Sequence, residues 1–246
     1  MAVTATNPVS RSSEHRAAAE KLMGLVVFGE KVAARNYVLM GDIKPEYNEL
    51  MRKFASMEGQ HSTWFRDASL RNDIEPNKQF ADGELGYLID QVERYHAERD
   101  FDAIAVVQGF IVECLAIATY EPFLSIAHQY EGAYEVFQRA LAEERYHVDW
   151  VTRYLRLRFF DAEDDFVGLA KRVNVQGIEC VGGTLMNIAD SLNIVGLSPA
   201  ECTGTMMDEY TSLLERIGID PEQATKDVIS LFVPLVRKYR HGESVN

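Results

Sequence analysis

The sequence predicts an all-α protein, a bundle of four long helices followed by accessory helices. Three observations carry this. Proline and glycine are sparse, 7 and 16 in 246 residues, and helix-period patterns dominate. No strand-length alternation bounded by hairpin signals such as Asn-Gly is present. Hydrophobic residues make up 47% and charged residues 26%, an ordinary globular composition that argues against disorder.

The elements follow in order. A first helix is expected from about Ser13 to Met40, ending at Gly41. Pro45 sits near the start of a second, which runs to about Arg71. Residues 72–79 form a loop, and a shorter helix covers Asp82 to Glu98. Asp102 to His128 and Gly132 to Phe160 are the third and fourth long helices. Three more run from about Asp164 to Asn193, Pro199 to Ile217 and Pro221 to Arg240, the last two opening on a first-turn proline. The expected organisation is one domain over 1–246, with the bundle at about 13–160 and accessory helices at about 164–240.

Bulk properties exclude several classes. A net charge of -13 repels phosphate backbones, so nucleic acid is not an expected partner. Cys114, Cys180 and Cys202 are far apart, with no CxxC spacing. That excludes a four-thiolate iron site and suggests free thiols in a reducing, cytoplasmic compartment. The first dozen residues lack the apolar run of a signal peptide. The longest apolar stretch, Ala103 to Tyr120, contains Gln108 and Glu113 and is flanked by acids, so it reads as a buried core helix and no membrane span is expected.

The chemistry lies in six residues. Glu58 and His61, and again Glu144 and His147, form ExxH motifs, and positions three apart share one helix face. Around Glu58 that face carries Met51, Phe54, Ala55 and Phe65; around Glu144 it carries Phe137, Ala140, Leu141, Val148 and Val151. Both motifs therefore point into the core, where unpaired charge is very costly. Glu113 is the single charge in the run Ala103 to Tyr120, and Glu30 shares its face with Met23, Val26, Ala33 and Tyr37. In chain order the four long helices carry Glu, ExxH, Glu and ExxH, the ligand set of ferritin-like di-iron and di-manganese carboxylate bundles. Glu30 precedes Glu58 by 28 residues and Glu113 precedes Glu144 by 31, as in a duplicated helix pair. Four carboxylates and two neutral imidazoles carry a charge that two divalent cations cancel; hard oxygen ligands with imidazole suit iron, or manganese. Glu143 reads as a surface residue or a partner of a ligand, and Tyr37 and Tyr120 as hydrogen-bond partners of the ligands or ordinary core tyrosines. The remaining histidines, His15, His96, His128 and His241, read as surface residues.

At these positions the sequence resembles the cyanobacterial aldehyde-deformylating oxygenases, also called aldehyde decarbonylases. The segments that carry the resemblance are VVFGEKVAARNYV around Glu30, FASMEGQHSTWF around Glu58, FIVECLAIATY around Glu113, EERYHVDW around Glu144 and LLERIGI near Ile217. The resemblance spans about residues 22–219. It implies a non-haem di-iron oxygenase with Glu30, Glu58, His61, Glu113, Glu144 and His147 as iron ligands and Tyr120 as a functional tyrosine. It further implies O2 as co-substrate, an external ferredoxin-type electron donor, and conversion of a long-chain fatty aldehyde to an alkane one carbon shorter plus formate.

A cysteine that follows the first ExxH in that family is Ala68 here, and the flanking loop RNDIEPNKQFADGEL differs in character. These departures bear on the substrate, and the alternative is a related di-iron oxygenase or N-oxygenase with another, pathway-specific substrate. A ferroxidase or storage protein needs only a compact four-helix subunit; a peroxide scavenger or a radical-generating reductase subunit fits the length or the cysteines less well. Apolar segments beyond the fourth helix, with Gly182, Gly183 and Met186, suggest room for an apolar substrate tunnel.

Overall fold

A computed structural model describes residues 12–223, 225–226, 229–230 and 233. Among them there is no strand; the chain runs as α1 (Ser13–Ile43), a short 3-10 turn (Pro45–Tyr47), α2 (Asn48–Arg71), α3 (Lys78–Ala97), α4 (Phe101–Val106), a π-helical turn (Val107–Val112), α5 (Glu113–Ala127), α6 (Ala133–Asp161), α7 (Glu163–Val195) and α8 (Pro199–Ile217). Of the expected helix from Pro221 to Arg240, the described residues are helical and the rest lies outside the described part.

Helix ends are set by side chains that satisfy the orphan backbone groups. Ser12, Asn77, Asp100 and Ser198 each accept a hydrogen bond from the first turn of the helix that follows. Left-handed Gly196 and Gly218 close α7 and α8. Two boundaries differ from expectation. Gly41 stays inside α1, because a Cβ there would come within 3.2 Å of Asn48 and Met51; it lets α2 approach rather than ending the helix. And α3 begins at Lys78, four residues early, because Asn77 caps it with a 2.9 Å bond from Phe80 N while its own N–H donates to Glu20 O.

The third long helix is the continuous rod α4–π–α5, Phe101–Ala127. It is long and apolar enough to cross a membrane, but 78% of its most apolar window is buried among the other helices, as in a core helix. The four-helix core is α1, α2, the α4–α5 rod and α6. Helices α3 and α7 cover the α1 side, and α8 covers α5 and α6. Within the π turn, a Cβ on Gly109 would lie 2.2 Å from Val151 Cγ1 of α6. Gly109→Ala is therefore expected to destabilise the fold by about 1–3 kcal/mol, measured by thermal or denaturant unfolding, and Val151→Ala should recover much of the loss.

Candidate metal centre

All six candidate ligands are buried in the middle of the bundle, each at most 3% exposed. α1 brings Glu30, α2 brings Glu58 and His61, α5 brings Glu113 and α6 brings Glu144 and His147. Their donor atoms form two groups, Glu30–Glu58–His61–Glu144 and Glu58–Glu113–Glu144–His147, each with its donor atoms within 4.8 Å of one another. Glu58 and Glu144 belong to both groups.

The contacts converge rather than pair off. His61 Nδ1 lies 3.0 Å from Glu144 Oε1 and 3.3 Å from both Glu30 Oε2 and Glu58 Oε2. His147 Nδ1 lies 2.8 Å from Glu58 Oε1, 3.3 Å from Glu144 Oε2 and 3.9 Å from Glu113 Oε1. Yet Glu58 Oε1 and Oε2, His61 Nδ1 and Glu144 Oε1 have no partner at hydrogen-bonding angles, although all are buried. Their lone pairs face common points, and buried polar atoms without partners are what a missing cation leaves behind. The donor set of carboxylate and imidazole fits iron or manganese.

The carboxyls and imidazoles of the cluster shift one another's affinity for protons. Burial, then the charges of Glu144 and Glu58, hold the carboxyls of Glu30 and Glu113 well above the usual range. Burial also pushes Glu58 and Glu144 upward, but contact with the two histidines outweighs it, and both lie below the usual range. Burial alone would lower the imidazoles; the surrounding carboxylates, Glu144 foremost, raise His61 strongly and His147 to about 11. Near neutral pH the two histidines thus hold protons that a metal pair must displace, and Glu30 and Glu113 hold theirs more firmly than free carboxyls do. Loading two divalent cations should release at least two protons per chain. Binding should weaken as pH falls, because the raised histidines and glutamates are then held more firmly protonated. Titration calorimetry in buffers of different ionisation enthalpy counts the protons; one or none released would contradict this charge arrangement.

The hydrogen bonds around the cluster follow the duplicated helix pairs. Tyr37 on α1 donates to Glu113 Oε1 on α5 at 2.5 Å, and Tyr120 on α5 donates back to Glu30 Oε1 on α1. Both tyrosines are therefore partners of candidate ligands, the more specific of the two roles open from sequence. The symmetry breaks further out. His61 Nε2 bonds Glu143 Oε2 at 2.9 Å, so Glu143 is a ligand partner, reached also by Arg139 at 3.4 Å. The residue equivalent to Glu143 on the other ExxH is Met57, and His147 Nε2 is buried with no such partner. Glu143→Ala is accordingly expected to weaken one of the two metal positions about 10–100-fold and leave the other near its native affinity, as metal titration would show.

Sequence reasoning missed a relay on the other side. Asn36 Nδ2 donates to Gln108 Oε1 at 2.8 Å, and Gln108 Nε2 donates to Glu113 Oε1 at 2.9 Å. Residues five apart on a regular α-helix point about 140° apart. The π turn between them, with its i+5 hydrogen bonds, stacks Gln108 against Glu113 instead. The signal available was Gln108 itself, the one polar side chain before Glu113 in an apolar run. Of the other histidines, His128 is exposed, His96 is half-buried, and His15 is half-buried and stacked on Tyr130; His241 lies outside the described residues. Cys114, Cys180 and Cys202 are unpaired.

An apolar cavity of about 880 Å³, including its open mouth, reaches the cluster and exposes Glu30, Glu58, Glu113 and Glu144 in its wall. Val26 and Ala33 of α1, Leu88 of α3 and Ala116 and Tyr120 of α5 line it. From α7 come Val181, Thr184, Leu185 and Ile188, at helical spacing. The expected tunnel helix is thus the right one, but Gly182, Gly183 and Met186 are not in the wall.

A solved structure titled "Protein 19 with aldehyde deformylating oxidase activity from Synechococcus" shares this fold, with a TM-score of 0.83 and 23% identity over 89% of this chain and 97% of that one. The long-chain fatty aldehyde decarbonylase family matches residues 12–232. The match spans nearly all of the helices and every residue of the cluster, and the chain belongs to the long-chain fatty aldehyde decarbonylase family.

Proposed function

We propose that the protein is a di-iron oxygenase that converts a long-chain fatty aldehyde into the alkane one carbon shorter plus formate. The observation that carries this reading is the apolar cavity whose charged region is the carboxylate cluster, with Tyr120 beside it. Such a wall buries an alkyl chain favourably and leaves its carbonyl at the ligands.

Glu30 and His61 would help hold one ion and Glu113 and His147 the other, with Glu58 and Glu144 within reach of both. Iron bound there would supply the site where O2 is reduced beside the carbonyl carbon. The balance is one aldehyde, one O2, four electrons and three protons, giving alkane, the formate anion and one water. The C1–C2 bond breaks, C1 leaves as formate, and the alkyl carbon gains a hydrogen.

The protein's side chains position and exclude. Tyr37 and Gln108 fix Glu113, and Tyr120 fixes Glu30 while facing the cavity. Burial, then the charge of Glu30, holds the Tyr120 phenol above its ordinary value, so it remains a proton donor at neutral pH. The apolar wall keeps bulk water from the reacting carbon. The three cysteines sit on α5, α7 and α8 and form no thiolate cluster, so the four electrons come from an external carrier. Free thiols also suit a cytoplasmic location.

The test is a product assay. Protein loaded anaerobically with Fe(II) is given octadecanal, a reductant and O2. The proposal predicts equal amounts of heptadecane and formate, and O2 consumption with neither product would refute this substrate assignment.

A further inference from the structure

The carboxylate cluster lies near one end of the cavity that adjoins it, and the other end stops short of a long alkyl chain. On α1 that far end is Leu22, eight residues before Glu30, or about 12 Å along the helix axis. On α5 it is Phe123, ten residues after Glu113, or about 15 Å along the axis. The chain of octadecanal, extended at about 1.2 Å per bond, spans roughly 20 Å.

A second apolar cavity, about 500 Å³ including its open mouth, begins where the first one ends. Leu22 and Phe123 stand in the walls of both. The second cavity continues along the same helices, past Ala19 on α1, Ala68 on α2, Ala127 on α5 and Ala133 on α6. Ala19 lies eleven residues before Glu30 and Ala127 fourteen after Glu113, about 16 and 21 Å along their axes. Helix α7 lines both cavities in register: Val181 and Ile188 face the first and Val195, seven residues on, faces the second.

The partition between the two is aromatic. Tyr120 faces the first cavity, Phe65 and Phe137 the second, and Phe123 both. The centre of the Phe65 ring is 5.0 Å from that of Tyr120 and 4.8 Å from that of Phe137, and Phe137 is 5.2 Å from Phe123. Leu22 and Phe123 have no polar side-chain atoms, so rotating them to open a passage breaks no hydrogen bond.

The second cavity suits an alkyl chain rather than water. Its polar side chains are already engaged by protein groups. Ser69 Oγ donates to Phe65 O at 2.8 Å. Asn72 Nδ2 donates to Ala68 O at 2.8 Å, and Asn72 Oδ1 accepts from Glu131 N at 2.9 Å. Tyr130 Oη lies 3.3 Å from His15 Nε2. A buried water needs roughly two to four polar partners. Protein interiors pack densely, and an unfilled apolar space is costly. One alanine from each of the four core helices keeps this one open.

We infer that the second cavity receives the far end of the substrate's alkyl chain, with Leu22 and Phe123 as its throat. The carbonyl then stays at the cluster while the last carbons pass the throat, and the depth of the second cavity sets the longest chain accepted. The inference rests on the proposed function and names the residues that would determine its chain-length specificity.

The test reads binding, so that it does not depend on turnover. The probes are 1-decanol and 1-octadecanol, added to the full chain loaded anaerobically with Fe(II). Their Kd values are measured by displacement of a fluorescent fatty alcohol. Ala68→Leu and Ala133→Leu fill the second cavity from two different helices, so one remains informative if the other folds poorly. Each methylene kept out of apolar burial costs about fourfold in affinity. Either variant should therefore weaken 1-octadecanol about tenfold or more, and 1-decanol, which ends at the throat, less than about twofold. In a crystal of the native chain with 18-iodo-1-octadecanol, the iodine should lie in the second cavity. Equal weakening of the two alcohols, no weakening of 1-octadecanol, or iodine in the first cavity or at its mouth would overturn the inference. Absence of alkane from octadecanal would overturn the proposed function instead, while the alcohol comparison still decides the chain-end site.

Discussion

Replacing Glu144 by Ala is expected to reduce metal content from about two ions per chain to almost none and to abolish O2-dependent turnover, while the helical content stays native. Glu144 contributes to both groups of converging donors, as Glu58 does, so its loss opens both positions. Glu113 contributes to one group only, and Glu113→Ala should leave about one ion per chain and equally abolish turnover. The two variants differ in stoichiometry, which elemental analysis of desalted protein reads directly. Two ions retained in Glu144→Ala would show that Glu144 does not serve both positions. The fold should tolerate the change, because Glu144 is one of four carboxyls packed together in the core, and its charge opposes ionisation of Glu30 and Glu113.

Filling the cavity should separate binding from metal chemistry. Ala116 lies on α5 in the cavity wall, one turn from Glu113 and one turn from Tyr120. Ala116→Phe places a ring where the alkyl chain would run. Turnover of octadecanal should fall about tenfold or more, mainly through KM, whereas a short aldehyde such as butanal should be affected less than about threefold. Metal content should stay at the native value, since Ala116 is not among the converging donors. Equal losses for long and short aldehydes would mean that the alkyl chain lies elsewhere.

The buried cluster of candidate ligands was legible in the sequence because burying a charge is so unfavourable. Glu113 inside an apolar run, and Glu58 and Glu144 on apolar helix faces, have few explanations other than a cation, and their order along the chain narrows these further. What escaped was geometry that periodicity does not encode. A π turn needs one residue beyond the α-helical period, and nothing in VQGFIV marks it except a glycine that α6 requires for close approach. The contact between Gln108 and Glu113 depends on that turn, so it was out of reach. The cavity helix was recognised but its facing side was not, because residues 180–189 are small or apolar around much of the helix and offer little contrast between faces. The start of α3 at Lys78 was not legible because the cap that sets it, a bond from Phe80 N to Asn77, is local and outweighs the weak helix signal of Lys78–Ala81. Glu143 illustrates a limit of another kind: spacing placed it beside a ligand, but only the tertiary contact with His61 on a different helix gives it a role.

The central claim is that O2 is activated at the carboxylate cluster and used on an aldehyde carbonyl held in the adjoining cavity. Its most direct measurement is turnover of octadecanal under 18O2, followed by mass spectrometry of the one-carbon product. The account predicts formate carrying one 18O atom, formed in step with heptadecane. Carbon monoxide, or formate without label at early times, would contradict it.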